Sequence, residues 1–176
     1  QQSFLRTKAH DLTQFLKVSA LQANSSNTTV FADSKGEIAY LHPQFVPLRN
    51  PRMDYTKPVD GSDPTADWSR LHTIKELPNV IRPKGGFVFN TNNWPWTAAG
   101  PESPRLDDFP KYMDTAGENP RGIHALALLT EPGPWTLDRL QSAAFDPAQP
   151  GVSRLVPALV TSFDSLPATD PLRARL

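Results

Sequence analysis

Proline is the residue that most restricts how this chain can fold. The sequence of 176 residues contains 19 prolines, and proline lacks the backbone N–H that a helix interior or a central strand requires. Residues 43–84 are interrupted so often that we expect a long, ordered excursion there instead of regular helices or strands. The prolines of this segment are Pro43, Pro47, Pro51, Pro58, Pro64, Pro78 and Pro83.

The segments beside this excursion carry the patterns of helices and strands. Residues 7–22 place apolar side chains at helical spacing, which predicts an amphipathic helix. Residues 28–33 and 37–42 are rich in strand-forming residues and flank a short turn with Gly36, which predicts a hairpin. The short apolar run at 85–90 predicts a third, buried strand.

The C-terminal part is predicted to be helical after a polar loop at 97–120. Helices are expected at 121–129, from a cap at Thr136 to about Phe145, and at 153–165. The first of these is expected to turn Ile123, Leu126 and Ala127 inward. These elements predict an α+β fold with a β-hairpin, a long Pro-rich excursion and C-terminal helices. A sheet of about three strands has open edges, so we expect chain outside this segment to complete it.

Composition excludes several classes of function. Lys and Arg number 18 and Asp and Glu also number 18, so neither a nucleic-acid partner nor a membrane-surface partner is indicated. The chain has no cysteine, which removes disulfides, thiolate nucleophiles and sulfur-ligated zinc. No apolar run approaches the ~20 residues of a membrane span. No paired-histidine zinc motif is present either.

The stretch GFVFNTNNWPWT, residues 86–97, concentrates amides and aromatics. Asn90, Asn92 and Asn93 follow an apolar run and precede two tryptophans. One interpretation is a strand-end turn held by asparagine side chains. The other is that one amide points at a reacting carbonyl, because a neutral carboxamide can donate hydrogen bonds without acid–base side reactions.

Four stretches, in this order, resemble one family. They are NTTVFADSKGEIAYLHPQFVPLR (27–49), NPRMDYTKPVDGSDPTADW (50–68), ELPNVIRPKGGFVFNTNNWPW (76–96) and NPRGIHALALL (119–129). Together they resemble the penicillin-amidase-like acylases, which are N-terminal-nucleophile hydrolases. The first stretch has the family's asparagine, ADxxGxIxY and PxR pattern, and the third has its N-x-N-N-x-P pattern.

The resemblance implies a four-layer αββα fold and hydrolysis of an N-acyl amide bond. Family members are precursors that cut themselves and expose a terminal Ser, whose own amine serves as the base. Ser3 does not match that nucleophile, so residues 1–176 resemble one interior, incomplete segment of the large β subunit. The implied partners are the other segments of the processed precursor and a small N-acyl substrate, and the implied location is periplasmic or secreted.

The resemblance also assigns two catalytic residues. Asn92 matches the asparagine of the oxyanion hole, whose loss costs about 3–4 kcal/mol of barrier. Its alternative is an asparagine in a strand-end turn. Arg121 matches the active-site arginine that orients the asparagine and the surroundings of the nucleophile. Its alternative is an ordinary ion-paired arginine at the start of a helix.

Two further groups of residues have both a functional and a structural interpretation. Trp94, Trp96 and Phe87 line the acyl pocket if the resemblance extends that far, but large aromatics also fill cores. The family's usual metal is a structural calcium and catalysis needs no cofactor. The residues that match possible calcium ligands are Pro51, through its carbonyl, and Asp107 or Asp108, which otherwise form a solvated acidic turn.

Two functions outside this enzyme class also fit the sequence. The aromatic-rich segment 86–97 could serve a non-enzymatic module that binds a ligand or a partner chain. The chain could equally be an inactive proteolytic fragment of a larger enzyme. A Ser-initiated chain flanking this segment in the reading frame would favour the enzyme over the binding module.

Overall fold

The computed structural model describes residues 1–113 and 117–175. The chain divides into two compact units, Gln1–Glu118 and Asn119–Leu176. The first unit contains a small antiparallel sheet with two short helices, and the second contains helices. This mixture confirms the α+β prediction, whereas the four-layer arrangement stays a prediction. None of the helices in the described ranges is long and apolar enough to cross a membrane.

The predicted hairpin is the central structure of the first unit. Strand β1, Thr29–Ala32, pairs antiparallel with strand β2, Ile38–Leu41. The turn between them is closed by Asp33, whose carboxylate accepts hydrogen bonds from the backbone N–H groups of Lys35 (2.9 Å) and Glu37 (3.0 Å). Gly36 has a φ of +80°, a conformation that glycine adopts without steric cost.

The third strand lies earlier in the chain than predicted. Strand β3, Val80–Ile81, pairs antiparallel with β2 and falls inside the Pro-rich excursion, whereas residues 85–90 form no strand. The prediction of a strand at 85–90 is therefore wrong. The backbone N–H groups at 84 and 85 bond to the Glu102 carboxylate at 2.9 and 2.6 Å, and Gly86 turns the chain with a φ of +75°. These donors are consequently not available for a strand ladder.

The rest of the excursion is ordered by short turns, as predicted. Residues 47 and 71 form an isolated antiparallel bridge. Within the polar loop predicted at 97–120, the described residues up to 113 also form tight turns. The 3-10 turns of the first unit are Pro64–Ala66, Ile74–Glu76, Pro95–Thr97, Gly100–Glu102, Leu106–Asp108 and Lys111–Met113.

Two short helices precede the hairpin where one longer helix was predicted. Helix α1 is Gln2–Arg6 and helix α2 is Leu12–Ser19. Asp11 separates them because its side chain accepts a hydrogen bond from Gln14 N (2.8 Å) and so begins a new helix. The predicted helix at 7–22 is thus confirmed only in its central part.

Strand β2 is buried on both faces. Ala39 and Leu41 pack with Leu12 and Phe15 of α2 on one face. The residue between them, Tyr40, packs on the other face in a second cluster with Val80, Ala98 and Ala99. Because successive strand residues point to opposite faces, the loop that follows the asparagine stretch is fixed against the back of the hairpin.

Buried amides connect α1 to the end of the hairpin. Gln44 is fully buried, and its side-chain oxygen accepts hydrogen bonds from Gln2 Nε2 (2.9 Å) and Arg6 Nη2 (3.1 Å). Its Nε2 donates to the His42 carbonyl. Pairing these groups avoids the cost of leaving a buried donor or acceptor unsatisfied.

The second unit contains the predicted C-terminal helices. Helix α3 is Pro120–Thr130, helix α4 is Leu137–Ala144 and helix α5 is Pro150–Asp164. A 3-10 turn follows at Pro171–Ala174. Thr136 caps α4 as predicted, accepting a hydrogen bond from Arg139 N at 3.2 Å.

The predicted inward face of α3 is only partly correct. Ile123 is 43% exposed and Ala127 is also exposed, while Leu126 is half-buried. The buried residue of this helix is Gly122. Apolar side chains of α4 and α5 are exposed as well, including Leu137 and Leu159. The spacing of apolar residues identified the helices, but contacts between helices decide which face of each helix is buried.

Replacing Leu12 by alanine should destabilise the first unit. The side chain of Leu12 is fully buried where α2 packs on β2. Truncating such a side chain leaves a cavity and costs about 2–5 kcal/mol of unfolding free energy. Leu21→Ala is the matched control, because Leu21 is 49% exposed and surface changes cost about 0.5 kcal/mol or less. Urea unfolding measures both, and equal losses would contradict this account of the core.

His42 should make stability depend on pH. It is buried after β2, its Nδ1 lies 3.2 Å from the Pro43 carbonyl, and burial lowers its pKa more than that bond raises it. A histidine with a folded pKa below the unfolded value of about 6.5 stabilises the fold above that pH. That stability is lost as the pH falls through the folded pKa.

The test is the thermal midpoint between pH 7 and pH 5. The thermal midpoint of the wild type should fall on acidification, and in His42→Gln it should fall by less. His72 retains part of the decrease, because burial lowers its pKa too. His10→Gln, at an exposed position, is the control. An unchanged pH dependence in His42→Gln would show that His42 does not couple folding to protonation.

Candidate functional site

The asparagine stretch forms a turn held by two of its own side chains. Asn90 Nδ2 donates to the Asn93 carbonyl (3.0 Å), and Asn90 Oδ1 accepts from Asn92 N (3.2 Å). Asn93 Oδ1 accepts from Thr91 N (2.9 Å). The prediction that Asn90 and Asn93 bond the backbone and hold the turn is confirmed.

Asn93 also fixes this turn to the following chain. It is 6% exposed, and its Nδ2 donates to Thr97 Oγ1 at 3.1 Å and to Glu118 Oε2 at 3.2 Å. The Thr97 hydroxyl donates to the same carboxylate. The buried amide therefore has partners for both its oxygen and its nitrogen, which a buried polar group requires.

Asn92 occupies a different position in the turn. Its φ is +59°, in the left-handed region where asparagine is enriched among non-glycine residues. The residue is exposed and lines a cleft of 590 Å³. The turn thus buries one amide, Asn93, and presents the neighbouring one at the surface of a cleft.

The cleft belongs entirely to the first unit. Its walls come from segments 25–28, 42–49 and 90–94, together with Tyr112 and Met113. Clefts of 300–1,000 Å³ are typical of small-molecule sites. The cleft is bounded by the end of the hairpin on one side and by the asparagine turn on the other.

Only one of the three predicted pocket aromatics lines this cleft in the described part of the chain. Trp94 lies on its wall and stacks on His42, with ring centroids 6.4 Å apart and an interplanar angle of 18°. Trp96 packs against Phe109 with centroids 5.9 Å apart. Phe87 is half-buried outside the lining. Asn92 and Trp94 are thus brought together.

Arg121 lies in the second unit, on the first turn of α3. Its side chain is exposed. Asn119, two residues before Arg121, caps the helix by accepting a hydrogen bond from Gly122 N at 3.0 Å. The catalytic role that the resemblance gives to Arg121 stays a prediction.

No cluster of acidic side chains accompanies the predicted calcium ligands in the described part of the chain. Asp107 and Asp108 are exposed on the 3-10 turn Leu106–Asp108. Pro51 lines a second cleft, of 700 Å³, where three cationic side chains also lie. Within 1–113 and 117–175, no three acidic, His or Cys side chains are grouped closely enough to hold a metal ion. Calcium therefore stays a prediction that needs ligands from elsewhere.

Sequence reasoning did not identify Arg49 as a cleft residue. Its guanidinium carbon lies 4.6 Å from the ring centroid of Trp68, 5.4 Å from Tyr55 and 5.9 Å from Tyr112. Arg49 lines both clefts. The only local signal was its place at the end of the quoted P-x-R pattern. Two of its aromatic partners, Trp68 and Tyr112, are too distant in sequence for spacing to connect them with it.

The comparisons with known proteins identify the family of the chain. The family model for penicillin amidase matches residues 1–176. The chain is also 33% identical over 88 residues to penicillin G acylase of Escherichia coli, a match covering 50% of this chain and 10% of that relative. The chain thus matches about a tenth of the length of this relative. The resemblance carried by the four sequence stretches is confirmed, and the chain belongs to the penicillin amidase family.

Proposed function

We propose that this chain supplies one side of the active site of an amidohydrolase that cleaves N-acyl amide bonds. The observation that carries the proposal is the exposed carboxamide of Asn92 on the wall of a cleft of suitable size. Family membership supports the class of reaction. The nucleophile of the proposed reaction is a terminal serine from another part of the processed precursor.

The proposed reaction has two stages. The serine hydroxyl attacks the carbonyl carbon of the substrate amide, and the serine's own amine takes the proton. The resulting tetrahedral intermediate collapses by breaking the C–N bond, and the departing nitrogen receives that proton. Water then attacks the acyl-enzyme in the same way, which releases the carboxylic acid and regenerates the serine.

Asn92 would act on the negative oxygen that forms in both stages. A carboxamide N–H is a neutral donor, and donors aimed at a developing oxyanion are most effective when they need no reorganisation. The turn supports this role because the side chains of Asn90 and Asn93 fix the backbone on both sides of Asn92. The second donor of the oxyanion hole would come from outside this chain.

Other parts of the proposal rest on the family alone. Arg121 would orient the asparagine and the surroundings of the nucleophile, and its guanidinium stays charged even when buried. Trp94 would form a wall for the substrate beside Asn92. The precursor would be a zymogen that is cut into associated chains, exported to the periplasm or secreted, and stabilised by calcium with ligands from several segments.

Replacing Asn92 in the mature enzyme should abolish most turnover without unfolding it. Asn92→Gly removes the carboxamide and keeps the left-handed backbone, whereas alanine there would strain it by about 1–2 kcal/mol. Asn92→Asp keeps the shape but turns a donor into an anion. We expect kcat, measured by acid release from a panel of N-acyl substrates, to fall about 100- to 1,000-fold. The thermal midpoint and the set of associated chains should stay unchanged.

Gln22→Gly is the matched control for this experiment. Gln22 also has a left-handed backbone, with a φ of 54°, and it lies outside the lining of the cleft. Its variant should keep wild-type turnover. Turnover at the wild-type rate in Asn92→Gly would remove Asn92 from the mechanism, and a mature protein that hydrolyses no N-acyl compound would favour a binding module.

A further inference from the structure

We propose that Arg49 binds the carboxylate of the substrate, so that the enzyme acts on N-acyl compounds bearing an acid group, such as N-acyl amino acids. The inference rests on the proposed function, because it places this carboxylate in the cleft where Asn92 meets the amide. Arg49 and Asn92 line that same 590 Å³ cleft.

The first support is the way in which the Arg49 side chain is held. Three aromatic rings surround its guanidinium, at 4.6 Å for Trp68, 5.4 Å for Tyr55 and 5.9 Å for Tyr112. Ring faces attract the cation, but they do not take up the fork of N–H groups that a guanidinium offers to a carboxylate. The cation is thus positioned without using its main hydrogen-bonding capacity.

The second support is that no acidic side chain within 1–113 or 117–175 forms an ion pair with Arg49. Its guanidinium makes no hydrogen bond to a residue in these ranges, and its Nε is buried without an acceptor there. Two other arginines of the first unit are paired with carboxylates. Arg70 binds the Glu76 carboxylate through two nitrogens, at 2.8 and 2.6 Å, and Arg82 binds Glu37.

The third support is the charge of the neighbouring cleft. Arg49 also lines the second cleft, together with Arg52 and Lys111. The acidic residue in that lining, Asp54, is paired with Lys57 at 3.4 Å. Clefts lined by one sign of charge concentrate ligands of the opposite sign. A small anion would therefore be attracted to the side of the cleft where Arg49 lies.

These observations favour a carboxylate over an uncharged ligand. A guanidinium and a carboxylate form two parallel N–H···O bonds, which fix orientation as well as adding affinity. In an N-acyl amino acid the carboxylate is separated from the amide by a single carbon. Binding of the acid group by Arg49 would thus hold the amide in the cleft that Asn92 lines.

The experiment compares matched acidic and neutral substrates with the mature enzyme. The acids are N-acetylglycine, N-hexanoylglycine and N-phenylacetylglycine, and each is paired with its uncharged glycinamide. We expect the wild type to prefer the acids. Arg49→Gln should raise KM for the acid about 10- to 100-fold, the value of hydrogen bonds to a charged group, and leave KM for the glycinamide unchanged.

Two further variants separate this role from a structural one. Arg49→Lys keeps the charge but loses the fork, so its KM for the acid should lie between wild type and Arg49→Gln. Arg70→Gln removes an arginine that is exposed and paired outside both clefts. This variant should leave KM unchanged for both the acids and the glycinamides, because exposed ion pairs contribute little to stability.

A binding measurement keeps this inference distinguishable from the proposed function. Calorimetric titration of N-(hexylsulfonyl)glycine, an acid whose sulfonamide the enzyme does not hydrolyse, into Asn92→Gly, with and without Arg49→Gln, measures acid binding without turnover. Weaker binding of the acid in the double variant supports the role of Arg49 even if Asn92 proves not to be catalytic. The proposal would be overturned if the ratio of KM for the acid to KM for the glycinamide were the same in wild type and Arg49→Gln, and if the acid bound equally well with and without Arg49→Gln.

Discussion

The hydrogen bonds of the Asn93 side chain are the interactions on which the geometry of the cleft depends. This one buried amide accepts from Thr91 N and donates to Thr97 and Glu118. It thereby closes the turn and joins it to the chain that follows. Without these bonds the left-handed backbone at Asn92 would have little to compensate its cost. The exposed amide is placed by the buried one.

The hairpin extends this constraint to the rest of the first unit. Tyr40 of β2 packs with Ala98 and Ala99, just beyond the asparagine turn. At the end of the same strand, His42 stacks on Trp94. The two walls of the cleft are therefore connected through the sheet and through ring stacking. If the cleft binds a substrate, walls joined in this way need little reorganisation, which is a condition for electrostatic preorganisation.

Features set by neighbouring residues could be predicted from the sequence, whereas features set by distant residues could not. The hairpin and the Thr136 cap follow from local turn and capping chemistry and were confirmed. The strand predicted at 85–90 was wrong, and the carboxylate of Glu102 binds the backbone N–H groups of residues 84 and 85 where that strand would begin. The roles of Asn90 and Asn93 were local and predictable. The aromatic surroundings of Arg49 come from three separate segments, and no spacing rule connects them.

The proposed role of Asn92 can be observed directly in a crystal structure of the mature enzyme with a tetrahedral adduct, such as a sulfonyl group, on its nucleophile. We expect Asn92 Nδ2 to lie about 2.7–3.1 Å from an oxygen of the adduct, with the turn from Asn90 to Asn93 unchanged. An adduct whose oxygens are bound by other donors, with the Asn92 amide turned away from them, would contradict it.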